Sequence, residues 1–118
     1  MSNIKYEIIF CTREKRKIFK NVKIRERFMN IMETRLHLYG LIILNMKVGD
    51  YYVDLYLRAL PDCSPVDAFN IIKKESRIIK DEFPELGNMP NLWTRKSMIS
   101  TDDISEETKR KYVEGWIK

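Results

Sequence analysis

The chain has 118 residues, 44% apolar and 33% charged, an apolar share that excludes a disordered chain and a length that allows one core and one domain over 1–118. Twenty-two Lys and Arg against 17 Asp and Glu leave a net charge of +5, which favours an anionic partner. No apolar run could cross a bilayer and the N-terminus lacks a signal-peptide pattern, so a cytoplasmic protein without membrane contact is expected.

Ile4 to Thr12 is rich in β-branched and aromatic residues, contains no Gly or Pro, and predicts a first strand. From Val22 to Tyr39, apolar residues at Ile24, Phe28, Ile31, Met32, Leu36 and Tyr39 recur at threes and fours, which predicts a helix that Gly40 stops. Leu41 to Val48 and Tyr51 to Ala59 read as strands two and three, separated by a two-residue turn at Gly49 and Asp50. Alternation on the third strand sends Val53, Leu55 and Leu57 into the core and Tyr52, Asp54, Tyr56 and Arg58 to the other face. Ser64-Pro65-Val66-Asp67 is a helix start, and the core face of that helix runs through Phe69, Ile72, Ser76, Ile79 and Phe83 to Pro84. Leu92 to Thr101 predicts a fourth strand. Ser105 caps a last helix with Glu106 and Glu107 in its first turn and Tyr112, Val113, Trp116 and Ile117 on its apolar side. The order βαββαβ with one added helix is an α+β split βαβ arrangement, with helices on one face of a four-stranded antiparallel sheet and the other face left for function.

Two cysteines, Cys11 and Cys63, are too few for a disulfide framework and fit packing roles in a reducing compartment. His37 is the only histidine, which excludes a four-ligand Cys/His zinc site within one chain, and its place just before Gly40 suits the negative end of a helix. The segment Arg13 to Arg27 holds eight Lys and Arg against Glu14 and Glu26, a local charge of +6. Such a run either contacts phosphates or is a solvated face. Tyr52, Tyr56 and Arg58 on one strand face would suit stacking on unpaired RNA bases, or are ordinary strand residues. Tyr112 on the last helix is either a covalent nucleophile, which needs a cation to activate it, or a packed ring beside Trp116.

Tyr6-Glu7-Ile8-Ile9-Phe10-Cys11-Thr12 with Lys15-Arg16-Lys17-Ile18-Phe19, then Ser76-Arg77 with Glu82-Phe83-Pro84-Glu85-Leu86, Leu92-Trp93-Thr94 with Ile99-Ser100-Thr101, and Ser105-Glu106-Glu107-Thr108 with Lys111-Tyr112-Val113-Glu114 run in order along nearly the whole chain. In these segments the sequence resembles the small single-tyrosine HUH transposases of bacterial insertion sequences, a family that includes the REP-associated tyrosine transposases. The resemblance implies a ferredoxin-like sheet with flanking helices, a homodimer, and binding of single-stranded or hairpin DNA. It places Tyr112 at the position of the nucleophile that cuts a strand through a phosphotyrosine link.

The resemblance also exposes departures. The family's metal-binding histidine pair falls at Tyr52 and Asp54, a histidine usually stands where Glu7 does, and Trp116 takes the place of a metal-site glutamine. Asp54 offers one weak oxygen ligand and Tyr52 a poor one. Without a Lewis acid, phosphoryl transfer loses several powers of ten in rate. The resemblance therefore implies a transposase-like protein that binds DNA through Arg13, Lys15, Arg16, Lys17, Lys20 and Arg77, is impaired in strand cleavage, and uses no cofactor. The alternatives are an active nicking enzyme using Tyr112 with Mg or Mn at an altered site around Asp54, or a single-stranded RNA-binding module.

Overall fold

A computed structural model describes residues 4–100 and 105–115. The elements in chain order are β1 (Ile4–Thr12), α1 (Val22–Arg35), β2 (Ile42–Val48), β3 (Tyr52–Ala59), α2 (Pro65–Ser76), α3 (Ile78–Glu82), β4 (Trp93–Ser100) and α4 (Glu106–Gly115). The strands form one antiparallel sheet in the order β2-β3-β1-β4, the ferredoxin-like arrangement expected from the sequence.

Local chemistry sets the element ends. The Asn21 side chain accepts from the Lys23 N–H at the start of α1, and Ser64 with Asp67 closes a reciprocal capping box on α2. Gly40 has φ 76°, the left-handed conformation that ends the 3₁₀ turn after α1. A side chain there would also meet Leu60.

Strand alternation sends Tyr6, Ile8 and Phe10 of β1 and Val53, Leu55 and Leu57 of β3 into one core, where they meet Ile24, Phe28 and Met32 of α1 and Phe69 and Ile72 of α2. Trp93 closes this core. Its ring packs on Phe10 (4.8 Å), Phe28 (5.5 Å) and Phe19 (5.9 Å), and its indole N–H donates to Ser76 Oγ at 2.9 Å. Ser76 in turn donates to the Ile72 carbonyl at 2.7 Å, which explains a hydroxyl on the core face of a helix.

Two local expectations shift. The helix predicted from Pro65 to Phe83 divides at Arg77, because Arg77 N–H bonds to the Lys74 carbonyl one residue nearer than an α-helix would, while Ser76 occupies the Ile72 and Lys73 carbonyls. The β2–β3 turn lies one residue later than Gly49-Asp50. Val48 pairs with Val53 and Gly49 N–H bonds to the Tyr52 carbonyl, leaving Asp50 and Tyr51 at the tip. Backbone bonds from Phe19 N to Asp50 O and from Thr12 N to Tyr51 O then tie this tip to the segment after β1.

Candidate functional site

The second sheet face carries Glu7, Ile9 and Cys11 of β1 beside Asp54 and Tyr52 of β3, with Ile9 paired to Asp54 and Cys11 to Tyr52. The sequence reading left this face open. Instead, α4 lies on it, and Tyr112 and Val113 pack on Ile9 and Cys11 with Tyr51, Tyr52 and Met98 at the margin. Ser105 caps α4 by accepting from Thr108 N–H, and the spacing of Lys109, Tyr112 and Val113 puts all three on the helix side that meets the sheet.

The Lys109 ammonium lies 2.8 Å from Glu7 Oε2, 3.2 Å from Asp54 Oδ2 and 3.6 Å from Glu106 Oε1. The side chains of Glu7, Asp54 and Lys109 are only 10%, 13% and 22% exposed. One ammonium balances one carboxylate. The second sits partly buried against the first, so burial, the hydrogen bond with Glu7 and the charge of Glu7 push Asp54 up to about 7, against the pull of Lys109. The hydrogen bond to Glu7 holds the Lys109 proton more tightly than in a free lysine, despite burial. Sequence reading did not single out Lys109. The available signal was a lysine three and four residues before apolar Tyr112 and Val113, on a face where a cation needs a carboxylate partner.

Tyr112 is 8% exposed and packs against Cys11 in this cluster. Burial above all, then Cys11, raises its pKa above the ordinary tyrosine value. Burial likewise pushes the Cys11 thiol up to about 11. Trp116 lies outside the described residues. A groove of about 700 Å³ runs between α4 and the β2–β3 side of the sheet, with Asn45, Lys47, Tyr52, Asp54 and Lys109 on its walls. Tyr52 sits edge-on to Tyr51, 5.8 Å between ring centroids, and is half-buried.

The segment after β1 turns sharply, with Glu14 and Lys15 both at positive φ (57° and 53°), a conformation that costs non-glycine residues roughly 1 kcal/mol each. The bond from Arg13 N–H to the Leu92 carbonyl (2.9 Å) and that from the Lys15 ammonium to the Glu114 carbonyl hold it. Its cations have different fates. Arg25 faces Asp50 at 3.5 Å and Arg27 binds Glu82 through two bonds of 2.7 and 2.9 Å, so these two are neutralised internally. Arg16, Lys17 and Lys20 are exposed and make no ion pair among the described residues. Arg13 is 3.9 Å from Glu14. Arg77 lines a separate cleft of about 540 Å³ with Lys73, Lys74 and Lys80, and Leu92 belongs to the same cleft. Since Leu92 also takes the Arg13 N–H, the two basic regions share one corner of the molecule.

The sequence matches the family of IS200-like transposases over residues 1–115. The chain belongs to that family. Among solved structures, it is similar to a protein of Deinococcus radiodurans R1 described as a transposase, with a TM-score of 0.86 and 22% identity over 99% of this chain and 93% of that one. It is also similar in fold to a REP-associated tyrosine transposase solved bound to a REP hairpin, with a TM-score of 0.57 and 10% identity over 93% of this chain and 62% of that one. No curated protein matches the sequence. Among the described residues, no helix of this IS200-like chain is long and apolar enough to cross a membrane.

Proposed function

We propose that this IS200-like chain is a cytoplasmic DNA-binding protein that holds single-stranded or hairpin DNA and is impaired in cutting it. The observation that carries the reading is the corner formed by the segment after β1 and the Arg77 cleft, where Arg16, Lys17, Lys20 and Arg77 are exposed without carboxylate partners among the described residues. Phosphates supply the missing negative charge, and the release of their counterions drives binding. A hairpin-bound protein of similar fold supports this choice of nucleic acid. Impaired cleavage is supported by Tyr112, which is buried against Cys11 and harder to ionise than a free tyrosine. The protein acts as a homodimer in this reading. The edge strand β2, with Ile42 and Leu44 exposed, offers an apolar surface for a second copy. Light scattering then gives twice the 14.2 kDa chain mass.

The test replaces Arg16, Lys17 and Lys20 together by Ala and follows hairpin affinity against salt. Three lost phosphate contacts lower the slope of log affinity against log salt by about 2 to 3, and affinity near physiological salt falls on the order of tenfold or more. The same change at Arg25 and Arg27, which have carboxylate partners within the chain, lowers the slope by less than 1. An unchanged slope in the triple variant refutes the assignment of this surface.

A further inference from the structure

The family resemblance reserves Tyr52 and Asp54 for holding a divalent cation, and the donor set here does not fit one. Tyr52 presents a phenol ring set edge-on to Tyr51, and Asp54 is already bonded to Lys109 at 3.2 Å. Among the described residues, no three His, Cys, Asp or Glu side chains are placed to hold a metal ion. A metal ion taking up Asp54 would have to displace the ammonium or share the carboxylate with it, placing two cations in contact.

We propose that Lys109 is the resident cation of this site: its ammonium takes the place of a divalent ion between Glu7 and Asp54 and ties the tyrosine-bearing helix α4 to the sheet. The inference rests on the family reading that puts Asp54 at a ligand position, and it does not depend on whether the protein binds DNA. Three features carry it. Lys109 lies at 2.8 and 3.2 Å from carboxylates on two different strands, so one ammonium joins β1, β3 and α4. Two of its three N–H donors have carboxylate oxygens at hydrogen-bond distance, Glu7 at 2.8 Å and Asp54 at 3.2 Å, and exposed Glu106 adds a longer ion pair at 3.6 Å. The cation is also covalently tethered, so its occupancy is independent of metal concentration, in contrast to a metal site whose affinity sets its loading. Lys109 lies one turn before Tyr112, and the ion cluster that retains it also keeps the Tyr112 ring against Cys11.

The test is uptake of Mn²⁺, read by the loss of the free-ion electron paramagnetic resonance signal, on the intact chain without DNA. The wild type leaves the signal unchanged up to about 1 mM Mn²⁺, the weak end of carboxylate sites. Lys109→Met keeps the apolar stem, empties the cation position and takes up about one Mn²⁺ per chain. Adding Asp54→Asn abolishes that uptake, and Lys109→Arg, which keeps the charge, excludes Mn²⁺ as the wild type does. If Lys109→Met does not fold, Lys109→Gln is read in the same way. Wild-type uptake that disappears with Asp54→Asn overturns the proposal, as does a folded Lys109→Met that takes up no Mn²⁺. Hairpin affinity measured on the same wild-type sample keeps the two claims apart, because its absence refutes the DNA-binding reading and leaves the Mn²⁺ result standing.

Discussion

Replacing Lys109 by Met removes the charge that offsets Glu7 and Asp54 while leaving the methylene stem to pack. Breaking a fully buried ion pair costs about 3 to 5 kcal/mol. Here Lys109 is 22% exposed and a carboxylate can escape by taking a proton, so the expected loss at pH 8.5 is about 2 to 3 kcal/mol. A melting entropy of about 2.1 cal/mol/K per residue makes each kcal/mol worth about 4 °C in a chain of 118 residues, so Tm falls by about 8 to 12 °C. The loss depends on pH with a definite sign. Asp54 titrates at about 7 even with the ammonium beside it, and without the ammonium its pKa moves higher, so at pH 5.5 a proton replaces much of the missing charge. The loss there falls to about 1 kcal/mol, the remaining share of the contact to Glu7. Urea unfolding of both proteins at the two pH values, at equal protein concentration, measures the difference. A loss below about 0.5 kcal/mol at pH 8.5, or one of the same size at both pH values, refutes the reasoning.

Asp54→Asn removes the raised titration itself. A carboxyl whose folded pKa of about 7 exceeds its ordinary 3.8 favours folding fully below 3.8 and loses that contribution as pH rises through about 7. The variant therefore gains on the wild type between pH 4 and 7, by on the order of 3 kcal/mol, and levels off above; a flat difference across that range contradicts the assigned titration. In the folded protein Cys11, buried and pushed up to about 11, reacts with a thiol reagent at pH 8 at least tenfold slower than half-buried Cys63, and the two rates converge in urea. Equal rates in the native state remove the buried Cys11–Tyr112 contact from the account. Ser76→Ala strands the Trp93 indole N–H in the core and costs about 1 to 3 kcal/mol in urea unfolding, whereas Ser97→Ala on the edge strand costs less than about 0.5. Similar costs for the two would mean that the Trp93–Ser76 bond contributes little.

Strand and helix periodicity was enough to place every major element, because each has one face in a common core and the alternation of β3 or the threes and fours of α1 report that directly. The break at Arg77 was not legible, since it depends on Ser76 bonding to carbonyls that only the folded helix brings near. The turn at Asp50 and Tyr51 escaped for a related reason: Gly49 suggests a turn, but bonds from Phe19 and Thr12 to the Asp50 and Tyr51 carbonyls accompany its shift by one residue. Of the candidate site, the shared face of Asp54 and Tyr52 followed from alternation on β3, whereas Glu7 joins them through the register of β1 against β3, which only the folded sheet sets. The approach of Lys109 did not, because it depends on which sheet face α4 covers, and no local pattern in Glu106–Gly115 states that. The basic segment was visible as composition, but its division into internally paired Arg25 and Arg27 and exposed Arg16, Lys17 and Lys20 required the positions of Asp50 and Glu82.

The most direct test of a DNA-binding, cleavage-impaired protein is one incubation of the chain with Mn²⁺ and labelled single-stranded hairpins taken from the DNA flanking its own gene, divided between a native and a denaturing gel. A protein that binds the hairpin without cutting it gives a shifted band on the native gel and no protein-linked DNA on the denaturing gel. A covalent band that disappears with Tyr112→Phe contradicts impaired cleavage, and would show that Tyr112 leaves Cys11 and attacks phosphate without the histidine pair.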